Sequence, residues 1–449
     1  MSMQTLSRRI VELAMNNGAC DADAIAISDT SDQLRVRQGA IESVEREDSC
    51  GIGLRAFVEQ QDGLAFASAC TSDISDAGLE RLAGQVLEMA RISSPDPDAV
   101  PPAGATHPEG ILQAEAEPPA WNIEAAKQAA LACEQAALDH SNAISNSEGA
   151  EAGFGNALIA YASADGFAGS YAKSSLGLSV SVIAGLGDAM QRDYEYAEVR
   201  SAADLPGPAA LGQRAADRAE RRLGASGMAS GQHTVVFEPR VALSLLGHLC
   251  GAINGRAVLQ QLSFLGDASG KRIFPEFVSI SDDPAHADGL GNRPFDGEGT
   301  RTSRSGLIEN GVLTGFMADR YAARRLGIEP TGHARRGLAG DLSIGPSNIY
   351  FHPGKLDQQS MIAEIGDGLL VTELIGFGVN GVTGDYSRGA AGFLIENGQI
   401  TRPVAEITIA GNLRDMFSGI THVGNDLTWF GSRAAPSVAI GGLTIAGQG

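Results

Sequence analysis

The chain is short of positive charge. Its 33 Lys and Arg stand against 54 Asp and Glu, a formal net charge of -21. Phosphate backbones are held by cationic side chains, so this balance argues against a DNA or RNA surface. The pairs Arg221-Arg222 and Arg335-Arg336 are too short to reverse it. No stretch of about 18 or more uncharged apolar residues occurs, so no membrane span is expected. The opening segment Met1 to Asn17 carries Leu6, Ile10, Leu13 and Ala14 at helical spacing with Arg8, Arg9 and Glu12 between them. It reads as an amphipathic helix and lacks the apolar run of a signal peptide. Five cysteines (Cys20, Cys50, Cys70, Cys133, Cys250) are scattered with no Cys-x-x-Cys pair. They read as free thiols of a reducing compartment, and the cytoplasm is the expected location.

What is present is length, apolar residues and glycine. With 449 residues, 43% of them hydrophobic, the chain exceeds the roughly 250–300 residues that one core organises. An α+β amino-terminal domain is expected over residues 1–92. Strands are predicted at Ile25–Ser28, Gln33–Arg37 and Ala40–Arg46, then a meander through Gly51–Val58 and Gly63–Ala67. Ser75-Asp76 caps a predicted helix over Gly78–Ala90. Residues 93–119 hold seven prolines and no apolar period, and read as an extended linker or surface connection. A middle α+β domain is expected over 120–226. It has helices at Glu124–Leu138 and near Ala209–Leu223, flanking strands at Asn142–Gly149, Ala157–Ser163, Ser170–Ala184 and Tyr194–Arg200. From 227 to 449 the strand Thr234–Phe237 leads, through Pro239, into a helix over Arg240–Ile253. Many of the 57 glycines follow, between short strand-like segments, so this last domain is expected to be β-rich and largely antiparallel, barrel-like or layered.

A hydrolase needs a nucleophile with its base, or a metal-activated water. No His-Glu-x-x-His occurs. The helix Arg240–Ile253 holds His248 and Cys250, but a separation of two points them to different faces. His333, His352 and His422 sit in separate turn-like segments, and whether they converge with His248 is left open. Asp282, Asp283, Asp296, Glu298, Asp367, Glu373 and Asp385 lack calcium-loop spacing. There is no phosphate-binding glycine loop and no nucleophile elbow in a credible context. The most unusual stretch is Phe377 to Gly389. It reads as a tight turn series, while its glycines would let backbone approach an extended ligand. Gly378, Asn380, Gly381, Gly384, Ser387 and Arg388 are the candidate residues there.

The sequence resembles the PmbA/TldE branch of the TldD/PmbA family, long labelled modulators of DNA gyrase. The resemblance rests on Arg37-Gln38-Gly39 with Ile41-Glu42-Ser43, on Ser263-Phe264-Leu265-Gly266-Asp267 with Gly270-Lys271 and Ile273-Phe274, and on Asp296-Gly297-Glu298-Gly299-Thr300-Arg301. Ile375 to Gly392, Glu396-Asn397-Gly398, Thr408-Ile409-Ala410-Gly411-Asn412-Leu413 and Val423-Gly424-Asn425-Asp426 extend it along the chain. It implies an α+β amino-terminal region, a middle domain and a β-rich carboxy-terminal domain.

The family's catalytic subunit, TldD, carries His-Glu-x-x-x-His on the helix matching Arg240–Ile253, with a downstream cysteine as a further zinc ligand. Carried over, the first histidine falls on Gly247, the glutamate on His248 and the second histidine on Ala252. The cysteine falls near Gly431 or Ser432. The resemblance therefore implies a chain that binds no zinc and has no catalytic residues of its own. Zinc and hydrolysis belong to a TldD-like partner subunit. This chain would help form a cavity for unfolded or extended peptides, with the Gly378–Gly389 stretch as part of its wall. Two other readings stand beside it: an independent homodimeric metallopeptidase with a non-standard site built from His248, His333, His352 or His422, and a noncatalytic scaffold or regulator. Self-association of the isolated chain is left open.

Overall fold

The computed structural model describes residues 2–102, 107, 113–114, 121–339 and 342–447. Nine helices are described: α1 (Met3–Asn16), α2 (Asp76–Ile92), α3 (Ile123–Leu138), α4 (Pro208–Arg221), α5 (Pro239–Ala252), α6 (Gly255–Leu259), α7 (Arg320–Leu326), α8 (Gln358–Ile365) and α9 (Leu413–Ser418). The first seven strands are β1 (Asp21–Arg37), β2 (Ala40–Gln60), β3 (Gly63–Thr71), β4 (Gln113–Ala114), β5 (Ile144–Ser163), β6 (Ala168–Ala184) and β7 (Gln191–Val199). They form one sheet in the order β3-β2-β1-β5-β6-β4, with β7 also on β6.

Each helix over this sheet has a readable cause. Ser2 and Ser75 accept the Thr5 and Gly78 N–H groups at 3.1 and 3.2 Å, and Asn122 accepts that of Ala125 at 2.9 Å. Leu6, Ile10, Val11 and Ala14 of α1 pack with Leu79, Leu82, Val86 and Leu87 of α2 in one core. A second core joins the alanine face of α3 to Leu211, Ala215, Ala216 and Ala219 of α4. These two helices touch so closely that a Cβ on Gly212 would lie 2.1 Å from the Cys133 carbonyl oxygen.

The strands are longer than their hydrophobic pattern predicts. Ile25–Ser28 and Gln33–Arg37 are parts of one strand, β1. Its polar centre Asp29-Thr30-Ser31-Asp32 looks like a turn, yet its backbone is paired on both sides, Asp29 opposite Ser49 and Ala157. The segments expected at Asn142–Gly149 and Ala157–Ser163 are likewise one strand, β5. Two complete ladders satisfy the backbone there, and the polar side chains line an open cleft of about 570 Å³. Of the proline-rich stretch, residues 103–106, 108–112 and 115–120 lie outside the described residues. Before them the chain is pinned down. Asp96 bonds to the Leu64 carbonyl at 2.9 Å, and Arg324 of α7 donates to the carbonyls of Pro97 and Ala99.

The carboxy-terminal region adds β8 (Gly231–Phe237), β9 (Ile280–Asp282), β10 (Ser305–Glu309), β11 (Val312–Leu313), β12 (Ala334–Arg336), β13 (Leu342–Ile344) and β14 (Ile349–Phe351). Then follow β15 (Gly368–Ile375), β16 (Asp385–Glu396), β17 (Gln399–Asn412), β18 (Ile420–Val423), β19 (Thr428–Phe430), β20 (Arg433–Ala435) and β21 (Val438–Ala446). The sheet β17-β16-β15-β8-β21 closes on itself through a β17–β21 pairing, and β18 is added on β21. This closed barrel removes its own edges. A second sheet runs β11-β10-β9-β14-β20-β19, and β12 and β13 form a hairpin. The chain is therefore α+β at its amino-terminal end and β-rich, with a barrel, at the other. No described helix is long and apolar enough to cross a membrane.

The two regions meet over buried charge. Asp23 of β1 accepts from Arg55 Nε and Nη2 at 3.1 and 2.6 Å, from Arg336 Nη1 at 2.6 Å and from the Tyr161 hydroxyl at 3.0 Å. Arg55 also reaches Glu298 at 3.2 Å.

Candidate functional site

Helix α5 begins at Pro239, whose missing N–H costs nothing in the first turn. It packs against β8, β15, β19 and β20. Ser244 and His248 lie one turn apart, so both face the same neighbours. Those neighbours are Tyr386 and Arg388, two residues apart on β16 and hence on one face, together with Thr372 of β15. The His248 ring stands edge-on to Tyr386 at 5.9 Å. Ser244, Thr372 and Arg388 line a cavity of about 250 Å³.

Five buried polar atoms here have no hydrogen-bond partner among the described residues: Ser244 Oγ, His248 Nε2, Thr372 Oγ1, Tyr386 OH and Arg388 Nε. Leaving such groups unsatisfied costs about 1–3 kcal/mol each, so their gathering marks a place suited to a polar guest. Burial, and then the Arg388 charge, pull His248 down to about 4. Its imidazole is neutral near pH 7. Burial lifts the Tyr386 phenol to about 12, against a smaller opposing pull from Arg388, so it keeps its proton. The site thus offers the Arg388 guanidinium, with Arg192, Arg222 and Arg240 also on the cavity wall, three hydroxyls and a neutral imidazole. That set can hydrogen-bond a peptide carbonyl or carboxylate, and it holds no nucleophile paired with a base.

Arg240 connects this cavity to a larger cleft of about 630 Å³ between β7, α4 and β19, where Tyr196, Trp429 and Phe430 supply aromatic surface. Asp193 anchors the wall between them, accepting from Arg218, Arg222 and Arg240 at 3.3, 3.3 and 3.1 Å.

A Cβ on Gly247 would lie 3.7 Å from the Arg433 guanidinium. Ala252 is buried in the barrel-side core. Gly431 and Ser432 join β19 to β20, both of which contact α5, and Arg433 follows them directly. Burial pushes the Cys250 thiol up to about 12, despite the Arg433 charge. A thiol held protonated, a glycine and an arginine do not fit a divalent metal. The other imidazoles are held apart. His333 Nε2 lies 3.2 Å from Asp282, His352 bonds to Ser281 at 2.8 Å, and His422 lies 3.4 Å from Glu364. The convergence that an independent metallopeptidase would need does not form: among the described residues no three His, Cys, Asp or Glu side chains group so as to hold a metal ion.

The glycine-rich stretch between β15 and β16 folds back on itself. Ser387 N–H donates to the Gly378 carbonyl at 2.7 Å, and Gly384 N–H to that of Asn380 at 2.8 Å. The Asn380 side chain accepts from Val382 N–H at 2.9 Å. A Cβ on Gly378 would lie 2.0 Å from the Ser387 carbonyl, Gly384 has φ +82, and Gly381 accepts from Phe264 N–H at 3.0 Å. Of the six residues singled out, Arg388 alone sends its side chain into the 250 Å³ cavity. Gly378, Asn380, Gly381 and Gly384 build the loop, and Ser387 is exposed. Around the loop Leu262, Ile375, Phe377 and Val382 are exposed apolar side chains, Phe377 at 97%. The sequence singled out His248, as a position of the lost zinc motif, and Arg388, as a loop candidate; it did not point to Ser244, Thr372, Tyr386 or Arg433. The Ser244–His248 spacing of four and the Tyr386–Arg388 spacing of two were the available signals.

Comparison with known proteins adds the lineage. Residues 22–90, 116–223 and 230–447 match the PmbA/TldA metallopeptidase domain 1, central domain and C-terminal domain. The chain is 36% identical over 466 aligned positions to metalloprotease PmbA of Escherichia coli O157:H7, covering 100% of this chain and 98% of that one. A Bacteroides thetaiotaomicron protein described as a modulator of DNA gyrase superposes with a TM-score of 0.89 at 27% identity, covering 99% of each chain. TldE from Thermococcus kodakarensis shares the fold, with a TM-score of 0.85 at 19% identity over 98% of this chain and 99% of that one.

Proposed function

The chain belongs to the PmbA/TldD metallopeptidase family, and from that premise we propose that it is the TldE-like, non-zinc-binding subunit of a cytoplasmic two-subunit peptidase. The observation that carries this reading is the Gly247–Arg433 contact. Where the resemblance puts a zinc-ligating histidine in the catalytic subunit, this chain has no side chain and faces a guanidinium. The His248 imidazole, one position along, is neutral and turned to Tyr386 and Arg388. No hydrolytic step is assigned to the chain's own residues.

Its part is to hold peptide for the TldD-like subunit. The cleft beside Tyr196, Trp429 and Phe430 provides aromatic surface for extended, unfolded segments, and the cavity lined by Ser244, Thr372 and Arg388 provides hydrogen bonds to backbone. Contacts of that kind read main chain more than side-chain sequence. The apolar cluster of Leu262, Ile375, Phe377 and Val382 supports the glycine-rich loop as a face for the TldD-like partner.

Mixing the purified chain with its TldD-like subunit should give a co-eluting complex that cleaves unfolded peptides, and Arg388→Ala should lower cleavage while leaving the complex intact. A chain that neither co-elutes nor changes the partner's peptide cleavage would remove the reading.

A further inference from the structure

A further cavity, of about 180 Å³, lies between the amino-terminal sheet and the carboxy-terminal region. One side is apolar, formed by Ile25, Ile159 and Phe295; the other is lined by Lys173, Arg293, Arg335 and Arg336. Four cations at one small cavity are unexpected in a chain of net charge -21. The charges that bear on Lys173 are all of its own sign, from Arg293, Arg335 and Arg200, and with burial as the larger cause they pull its amine down to about 8. Arg293 donates to neutral acceptors, Ser347 Oγ at 2.8 Å and the Ala334 and Gly345 carbonyls at 2.9 and 3.0 Å. Among the described residues the one carboxyl in the lining, Asp296, is lifted to about 7 by burial and then by Glu298. It is spent on the N–H groups of Glu298, Thr300 and Ala334.

Arg336 supplies an independent observation. Its side chain is fully buried and its Nη1 is taken by Asp23 at 2.6 Å. Its Nε and Nη2 have no hydrogen-bond partner among the described residues. Those two N–H groups form the side-on edge of the guanidinium, the fork that matches the two oxygens of a carboxylate or phosphate.

We propose that this cavity binds a small oxyanion, a carboxylate or phosphate group, gripped by the free edge of Arg336 and countercharged by Lys173 and Arg335. Lys173 also lines the open cleft along β1, β5 and β6, so it stands at the mouth through which the anion enters. The apolar wall accepts a short hydrocarbon portion, which makes the C-terminal carboxylate of a peptide one source and free phosphate the other. The site is separate from the α5–β16 cavity and stands whether or not the chain guides peptides.

The test is thermal unfolding and calorimetric titration of the full chain at low ionic strength. The probes are inorganic phosphate, a short acetylated peptide with a free carboxylate, the same peptide amidated, and chloride at matched ionic strength. Saturable stabilisation by phosphate or by the free-acid peptide, with none from chloride or the amide, is the expected result; which of the two succeeds identifies the source. Lys173→Met should weaken that binding by about 10-fold or more. It should also raise the melting temperature in anion-free buffer, because it relieves repulsion between like charges. Arg335→Gln should act in the same direction. The proposal is overturned if neither anion stabilises the parent beyond chloride, or if Lys173→Met leaves the affinity within about 2-fold.

Discussion

Asp23→Asn should separate the two regions of the molecule energetically. The carboxylate is wholly buried and receives four hydrogen bonds, two from Arg55 and one each from Arg336 and Tyr161. Burial alone would raise it, but Arg336 and Arg55 outweigh burial and hold it at about 2, against an ordinary 3.8. At about 1.4 kcal/mol per pH unit, the ionised form gains about 2–3 kcal/mol on folding. Because the folded carboxyl is the stronger acid, this contribution is complete above about pH 4 and is lost as pH falls toward 2. Substitution costs more than protonation. An amide turns an N–H toward a guanidinium and takes from Arg336 the carboxylate it pairs with, leaving Arg55 with Glu298, a loss of about 3–5 kcal/mol. Urea unfolding at pH 7, followed by tryptophan fluorescence, reads both ends of the chain, since Trp121 packs on the α3 core and Trp429 lies in β19. Asp62→Asn on an exposed turn is the control, expected within about 0.5 kcal/mol of the parent. An Asp23→Asn loss below about 1 kcal/mol would refute the claim that this carboxylate ties the sheet to the barrel region.

Further outcomes follow from the α5–β16 site and its loop. His248 is held at about 4 by burial and by Arg388, so its neutral form stabilises the fold above the ordinary histidine range, and that contribution is lost as pH falls from about 6.5 toward 4; Arg388→Ala should relax both causes and raise the His248 value, read by NMR titration, and an unchanged value would contradict the geometry. Gly378→Ala must displace the Ser387 carbonyl, 2.0 Å from the new Cβ, and should cost about 1–3 kcal/mol in thermal unfolding; an unchanged melting temperature would show that the loop is not closed by that bond. Phe377→Ser, at a side chain 97% exposed, should leave stability within about 0.5 kcal/mol yet weaken association with the TldD-like subunit by about 10-fold, measured by calorimetry.

The helices were legible because their signals are local. Ser75, Pro239 and the 3.6-residue apolar period are read within one segment, and α2, α3 and α5 begin and end within two residues of expectation. The long strands were not. Asp29–Asp32 and Gly153–Gly155 carry the composition of turns, and only ladders on both sides make them strand. The candidate site was half legible: His248 and Arg388 each stood out, but their meeting depends on α5 crossing β15 and β16. The cationic cavity was invisible in sequence. Lys173, Arg293 and the Arg335-Arg336 pair come from three separate segments, and overall charge pointed the other way.

The most direct test of the central claim is metal analysis of the purified chain alongside a peptide-hydrolysis assay, for the chain alone and for the chain mixed with its TldD-like subunit. The isolated chain should hold no stoichiometric zinc and cleave nothing, with cleavage appearing in the mixture. Stoichiometric zinc and cleavage by the isolated chain, both abolished by His248→Ala, would contradict that claim and place a working metal site one position along from Gly247.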